Sequence, residues 1–93
     1  MKGKKVYALL IEKNWHKEEE YSDVLDIYTN KKDAIDALRE TSLDFAQEVQ
    51  DDFDEDIFTH ENYSVINDDT HFQCIDEGMG YNFELFVIEK ILQ

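Results

Sequence analysis

Carboxylate side chains recur at every fourth position of one predicted helix, a pattern that could bind cations or a positively charged partner. The row consists of Asp36, Glu40, Asp44, Glu48 and Asp52, and it continues into Asp51, Asp54, Glu55 and Asp56. Successive members of the row rise about 6 Å along an ideal helix. At this spacing each like-charge pair costs roughly 0.2–0.5 kcal/mol, whereas alternating glutamate and lysine would be favourable. The row therefore predicts a basic partner, and a merely solvated acidic surface is the alternative.

The charge of the whole chain is concentrated in the same region. Residues 1–39 carry eight basic and eight acidic side chains, whereas residues 40–93 carry one and fifteen, which gives the net charge of −14. Such acidity argues against direct binding to nucleic acid or to an anionic lipid surface, since both require cations. Regularly spaced carboxylates could instead imitate phosphates. The expected partner is a basic protein surface, with a nucleic-acid-binding protein as the sharpest version.

The acidic segment after the helix has some features of a calcium-binding loop. Alternating acids between Asp52 and Asp56 resemble the start of an EF-hand loop. That register requires glycine at residue 57 and glutamate at residue 63, but the chain has Ile57 and Tyr63. We therefore reject an EF-hand, and weak calcium binding in the millimolar range stays open as a third function class.

Other patterns of catalytic or metal-binding residues are weak. His16, His60 and His71 are far apart, Cys74 stands alone, and no zinc-ligand spacing occurs among them. Cys74 also has no cationic neighbour in sequence to lower its pKa. The two glycines of the Gly78–Gly80 segment favour a turn over a phosphate-binding loop. We expect no enzyme activity, no metal site and no cofactor.

The periodicity of apolar residues predicts an α+β fold with the element order β-β-α-β-β-β. The predicted strands are Lys4–Lys13, Asp23–Thr29, Tyr63–Ile66, Thr70–Asp76 and Phe83–Leu92. A helix is predicted from an Asn30 N-cap to near Asp52, with an apolar stripe of Ile35, Leu38, Phe45, Val49 and Phe53. This helix is expected to cover one face of an antiparallel sheet of four or five strands.

Three details of these elements carry an alternative or a specific expectation. The last ten residues favour a strand, but Leu85, Ile88 and Leu92 also fit a helical period. In the second strand, Leu25 and Ile27 are expected to point inward. The segment Leu9–Lys13 is chemically similar to Phe86–Lys90, which suggests neighbouring strands at the sheet centre, although chance similarity explains it as well.

Two aromatic residues, Trp15 and Tyr21, flank the polar loop between the first two strands. They define a candidate secondary contact patch, because aromatic side chains supply rigid contact area; the alternative is that they close the edge of a core. The runner-up function is accordingly a structural or regulatory subunit, including a homodimer, that binds through the sheet face or the Trp15 loop. In that case the acidity serves only solvation.

The chain length of 93 residues predicts a single domain spanning 1–93. One cysteine excludes an intrachain disulfide and fits a reducing compartment. The longest apolar run, Val6–Ile11, is far too short to span a membrane. We therefore expect a cytoplasmic protein.

The sequence also resembles a widespread group of small uncharacterised bacterial proteins, many of them encoded near mobile elements. The segments that carry the resemblance are Lys5–Tyr7, Ile27–Ala34, Cys74–Gly78, Tyr81 and Glu84–Lys90. The resemblance implies the same strand–strand–helix–strands order, and it implies no activity or functional residue. A mobile-element setting would favour an inhibitor of host defence or DNA metabolism.

Overall fold

The computed structural model describes residues 3–15 and 20–92 and shows one helix on one face of a five-stranded antiparallel sheet. The elements are β1 (Lys4–Asn14), β2 (Tyr21–Tyr28), α1 (Lys31–Phe53), β3 (Tyr63–Asn67), β4 (His71–Asp76) and β5 (Tyr81–Leu92). Across the sheet their order is β2-β1-β5-β4-β3, which differs from their order along the chain. The predicted α+β class is confirmed.

The two longest strands, β1 and β5, pair at the centre of the sheet. Their antiparallel ladder runs from the Lys4–Leu92 pair to the Asn14–Asn82 pair. The similarity between Leu9–Lys13 and the end of the chain therefore reflects strands that lie side by side. This ladder also decides the alternative for the last ten residues, because they form strand and not helix.

The helix begins where the sequence predicts. The side chain of Asn30 accepts hydrogen bonds from the backbone N–H groups of Lys32 (2.8 Å) and Asp33 (3.4 Å), which satisfies donors at the first turn. The helix ends at Phe53, one residue beyond the predicted end. There Asp54 adopts a left-handed conformation (φ 55°) and its N–H bonds to the carbonyl of Gln50, a C-cap geometry that aspartate tolerates better than most side chains.

The core lies between the helix and the sheet and is rich in aromatic rings. Phe45 of α1 stacks on Phe83 of β5, with ring centroids 3.8 Å apart. Trp15 packs edge-on against Phe45 at 4.9 Å, and Phe72 completes the cluster from β4. Aromatic contacts of this kind add to the burial of apolar surface, so they fix the helix on this face of the sheet.

The predicted apolar stripe is correct at its centre and wrong at its ends. Leu38, Phe45 and Val49 are buried, but Phe53 is 41% exposed and Ile35 is only half-buried. Ala34 is buried in addition. Because an ideal helix turns about 100° per residue, Ile35 and Phe53 point about 60° to one side of Leu38, whereas Phe45 and Val49 lie within about 20° of it.

The second strand was predicted with the wrong orientation. A β-bulge shifts its register, so that Leu9 lies opposite Asp26 and Leu10 lies opposite Val24. Ile27 is 59% exposed, on the face of the sheet away from the helix, and Leu25 is exposed as well. An extra residue at a bulge reverses the alternation beyond it, and this strand lies at the sheet edge.

Candidate functional site

The predicted acidic residues lie on the outer side of α1 and in the loop that follows it. Eight of the nine side chains are exposed, and Glu55 is half-buried. The row drifts by about 40° at each fourth residue of an ideal helix, so Asp36 and Asp52 point about 160° apart. The residues that share one direction are Asp33, Glu40, Asp44, Glu48 and Asp51, all within about 80° of each other. We call these five the acidic flank.

The acidic flank faces the β2 side of the molecule. Burial and the neighbouring Asp26 raise the pKa of Tyr28, and Glu40 and Asp33 add to this increase. The opposite flank of α1 faces β3 and β4, where Arg39 forms a 2.7 Å ion pair with Asp69. The negative potential of the helix therefore extends over the edge strand, whereas the other flank is locally neutralised.

Several predicted residues are engaged within the protein itself. Asp36 pairs with Lys32 at 3.0 Å, and hydrogen bonding to Asp36 is the main cause that raises the pKa of Lys32. The side-chain amides of Gln47 and Gln50 donate to Asp51 (2.9 Å) and Asp54 (3.1 Å), respectively. Because the amide groups are neutral, these hydrogen bonds leave the negative charge of both carboxylates uncompensated.

The loop after the helix has a structural function. Asp56 accepts a hydrogen bond from the backbone N–H of Phe58 (2.9 Å), and Ile57 between them is buried. Glu55 lies 3.4 Å from His60. Burial, followed by the charge and hydrogen bonding of Glu55, raises the pKa of Tyr63 to about 12. Glu55 and Asp56 therefore help to hold the loop in place.

Four residues of the row have no internal side-chain partner. Among the described residues, the side chains of Glu40, Asp44, Glu48 and Asp52 form no hydrogen bond or ion pair. The last three lie in the half of α1 that carries no basic residue, since Arg39 is the last one before Lys90. Their carboxylates are the groups most available to a cationic partner.

Apolar side chains that sequence reasoning missed lie beside this acidic surface. Leu43 is 60% exposed and Phe58 is 44% exposed. With Ala46, Gln50 and neighbouring groups they line a groove of about 270 Å³ between the helix and the following loop. The position of Leu43 outside the apolar stripe was the one signal in the sequence that could have identified it.

The secondary contact patch does not form as predicted. Trp15 is only 5% exposed and stacks near Tyr63 and Tyr81, because the core beneath α1 has room for a large ring there. Tyr21 is 43% exposed at the start of β2. His16 and the rest of the loop up to residue 19 fall outside the described residues.

The candidate metal and catalytic residues have structural surroundings. Within residues 3–15 and 20–92, no group of three or more His, Cys, Asp or Glu side chains is arranged to hold a metal ion. Cys74 is fully buried, and burial, with a contribution from Asp76, raises its pKa to about 12. A protonated, inaccessible thiol is a poor nucleophile.

A buried carboxylate that the sequence analysis overlooked organises the turn between β4 and β5. Asp76 is 3% exposed and accepts hydrogen bonds from the side-chain amide of Asn62 (2.7 Å) and the backbone N–H groups of Gly78 (3.1 Å) and Met79 (3.2 Å). Gly80 takes the left-handed conformation (φ 74°) that closes this turn. The Asp-x-Gly sequence is a turn signal that could have revealed it.

Comparisons with family models, with curated proteins and with solved structures each give no match to this chain. Among the described residues, no helix has both the length and the apolar character needed to cross a membrane.

Proposed function

We propose that this protein is a small interaction module that binds a basic surface of a partner protein through the acidic flank of α1. The observation that carries the proposal is the set of exposed carboxylates on Glu40, Asp44 and Glu48 of this flank, which form no side-chain hydrogen bond or ion pair among the described residues. In its most specific form, the proposal is that the acidic flank occupies the nucleic-acid-binding site of a partner protein and so inhibits that protein.

The energetic argument concerns charges that do not help folding. The pairs Asp44–Glu48 and Glu48–Asp52 each cost roughly 0.2–0.5 kcal/mol. Acids near the end of a helix also interact unfavourably with its dipole, and the last turn of α1 contains no basic residue. A mixed surface would be equally soluble and more stable, so the arrangement is best explained by a charged partner.

The groove beside Leu43 and Phe58 supports a protein partner over a simple cation. Charge complementarity accelerates association and selects partners, whereas apolar anchors in a pocket supply much of the binding energy. A basic surface with one protruding apolar side chain would fit both features. We therefore expect binding that is fast, sensitive to salt and weakened by changes at Leu43.

The test compares two triple variants of equal charge. D44K/E48K/D51K reverses the acidic flank, and E61K/D68K/E89K reverses three exposed acids elsewhere. Each substitution raises the charge by two, so both variants carry −8 instead of −14. Wild type and both variants are immobilised and exposed, at moderate and at high salt, to a lysate of the cells from which the protein comes. Circular dichroism confirms that all three proteins are folded.

We expect a nucleic-acid-binding protein to be retained by wild type and by the control triple, to be lost from the flank triple, and to be released by added duplex DNA or by salt. Equal loss from both triples would show that only net charge matters. Retention by the flank triple would refute the proposal and direct attention to the other surfaces.

A further inference from the structure

The face of the sheet opposite the helix is apolar at its centre, and we call it the open face. In the described part of the chain, α1 is the only helix and it packs on the other face. Side chains alternate along a strand, which places on the open face Val6, Ala8, Leu10, Val24, Ile27, Ile66, Ile75, Phe86 and Ile88. A depression of about 470 Å³ opens between Leu10, Val24 and Phe86. Val24, Ile27 and Ile66 are 42–59% exposed, the side chains of Leu10, Ile75, Phe86 and Ile88 are half-buried, and those of Val6 and Ala8 are already covered by their neighbours. Contiguous exposed apolar surface marks interaction sites.

The size of the open face is sufficient for a specific interface. Five strands about 4.8 Å apart, with about eight residues each at about 3.3 Å, give a surface of roughly 500–600 Å². Two such surfaces in contact would bury about 1,100 Å² in total. A specific interface needs about 1,000 Å² or more, so a pair of open faces would form a small, reversible interface.

Charged residues on the open face are arranged by sign along the strands. Lys4 and Lys90 lie at one end, and Glu12 and Glu84 lie at the other, where the two glutamates are directly opposite each other in the β1–β5 ladder. Like charges in that position are unfavourable. His71 contacts Glu84 at 2.5 Å and stacks on Phe86. The charged groups of this face nearly cancel, in contrast to the −14 of the whole chain.

We infer that the open face binds a second copy of this chain in an antiparallel, face-to-face dimer. A two-fold axis that lies between the sheets and perpendicular to the strands would place the lysine end of each copy over the glutamate end of the other. The same patch then serves both copies, as an isologous interface requires. The apolar centres meet, and the opposed glutamates gain cationic neighbours.

Repulsion between two strongly acidic chains does not prevent this arrangement. Stacked sheets lie about 10 Å apart, and each helix would lie on the outer side of its own sheet, about 10 Å further out. The two acidic flanks would therefore be about 30 Å apart. Charges separated by more than the Debye length of about 8 Å at physiological ionic strength are largely screened.

The free edge of β2 is a less suitable contact than the open face. The side chains of Asp23 and Asp26 accept hydrogen bonds from the backbone N–H groups of Val24 (2.7 Å) and Ile27 (2.8 Å). An added strand would need such donors, and the exposed aspartates would repel an acidic neighbour. Edge strands are commonly protected in this way.

The first test measures oligomeric state by sedimentation equilibrium at physiological ionic strength, over micromolar to millimolar concentrations. We expect wild type to approach twice the 11.1 kDa mass of one chain. Ile27→Lys should weaken the dimer by about tenfold or more, because it buries an unpaired charge. Met79→Lys is the matched control, since Met79 is 64% exposed against 59% for Ile27 but lies in the turn between β4 and β5, and it should leave the dimer unchanged. A wild type that stays monomeric, or equal dissociation constants for Ile27→Lys and wild type, would overturn the inference.

The second test uses charge exchange to examine the antiparallel arrangement. Lys4→Glu and Glu12→Lys are both at exposed positions of β1, so neither should unfold the chain. The two-fold axis places each of these residues over the other in the second copy. Each alone should weaken the dimer several-fold, and the double variant should restore it, because the reversed pair has the same complementarity across the two-fold axis. If the double variant dimerises even more weakly than either single variant, the antiparallel arrangement is contradicted.

Discussion

The two faces of the sheet differ in how they are covered and in how they carry charge. The helix-bearing face is sealed by an aromatic core, and the helix that covers it presents an outer surface of carboxylates. The open face has an apolar centre, and its few charges are sorted by sign along the strands. One side of the molecule thus carries a large excess of negative charge, and the other carries nearly balanced charge around an apolar centre. This contrast underlies the two proposals, in which the two sides bind different partners.

The difference between the two faces can be tested most strongly by truncating one β5 side chain on each face. Leu85 faces the helix and is fully buried, whereas Ile88 lies on the open face and is half-buried. Leu85→Ala should lower the free energy of unfolding by about 2–5 kcal/mol, at any protein concentration. Ile88→Ala should cost about 1 kcal/mol in dilute solution and more at high concentration, where the open face is covered. Urea denaturation at two concentrations measures both effects, and equal, concentration-independent losses would erase the distinction between the faces.

Alkaline pH should affect the helix-bearing side selectively. The pKa of Cys74 is raised from 9.0 to about 12, and that of Tyr63 from 10.0 to about 12. Between pH 9 and 12 the unfolded chain therefore holds fewer protons than the folded chain, so stability is complete below pH 9 and falls as pH rises. We expect losses approaching about 1 kcal/mol per pH unit, measured by urea denaturation.

Substitutions at these two positions provide the control for the alkaline effect. Cys74→Ala should flatten the decline that begins near pH 9, and Tyr63→Phe should flatten the part above pH 10. If neither variant changes the slope, the alkaline loss arises from other groups and the burial of these two residues is not its cause.

The smallest expected effect concerns the cost of the acidic flank. Glu48→Lys converts two repulsive pairs, with Asp44 and Asp52, into attractive ones, and it should raise the free energy of unfolding by about 1 kcal/mol at low salt. Added salt should stabilise wild type and reduce this gain. Glu61→Lys, an exposed acid outside the helix, is the control and should have little effect. A destabilised Glu48→Lys variant would show that the flank is not under repulsion.

Sequence patterns predicted the elements well because each has a strong local signal. The Asn30 cap and the stripe around Phe45 mark the helix, and the continuous apolar run in β5 marks a strand. The orientation of β2 was missed because a bulge depends on pairing with β1, which no local pattern encodes. The sequence could not decide between the two alternatives for Trp15 for a similar reason, since its burial in the core depends on rings contributed by distant segments.

The sequence predicted which acidic residues belong to the candidate site but not how they are arranged in space. Periodicity identified the exposed carboxylates of α1, yet it could not show that Glu55 and Asp56 are occupied by the loop they stabilise. Nor could it find Phe58, which reaches the groove only because Ile57 anchors that loop in the core. Local spacing describes one element at a time, whereas a site is formed by contacts between elements.

The central pairing of β1 with β5 has a consequence for folding during synthesis on the ribosome. Strand β1 ends at Asn14 and its partner begins at Tyr81, so at about 5–20 residues per second the first strand waits several seconds for the last. During that interval its apolar side chains lack their main neighbour. The native sheet can therefore form only after all of β5 has been synthesised and has left the ribosome.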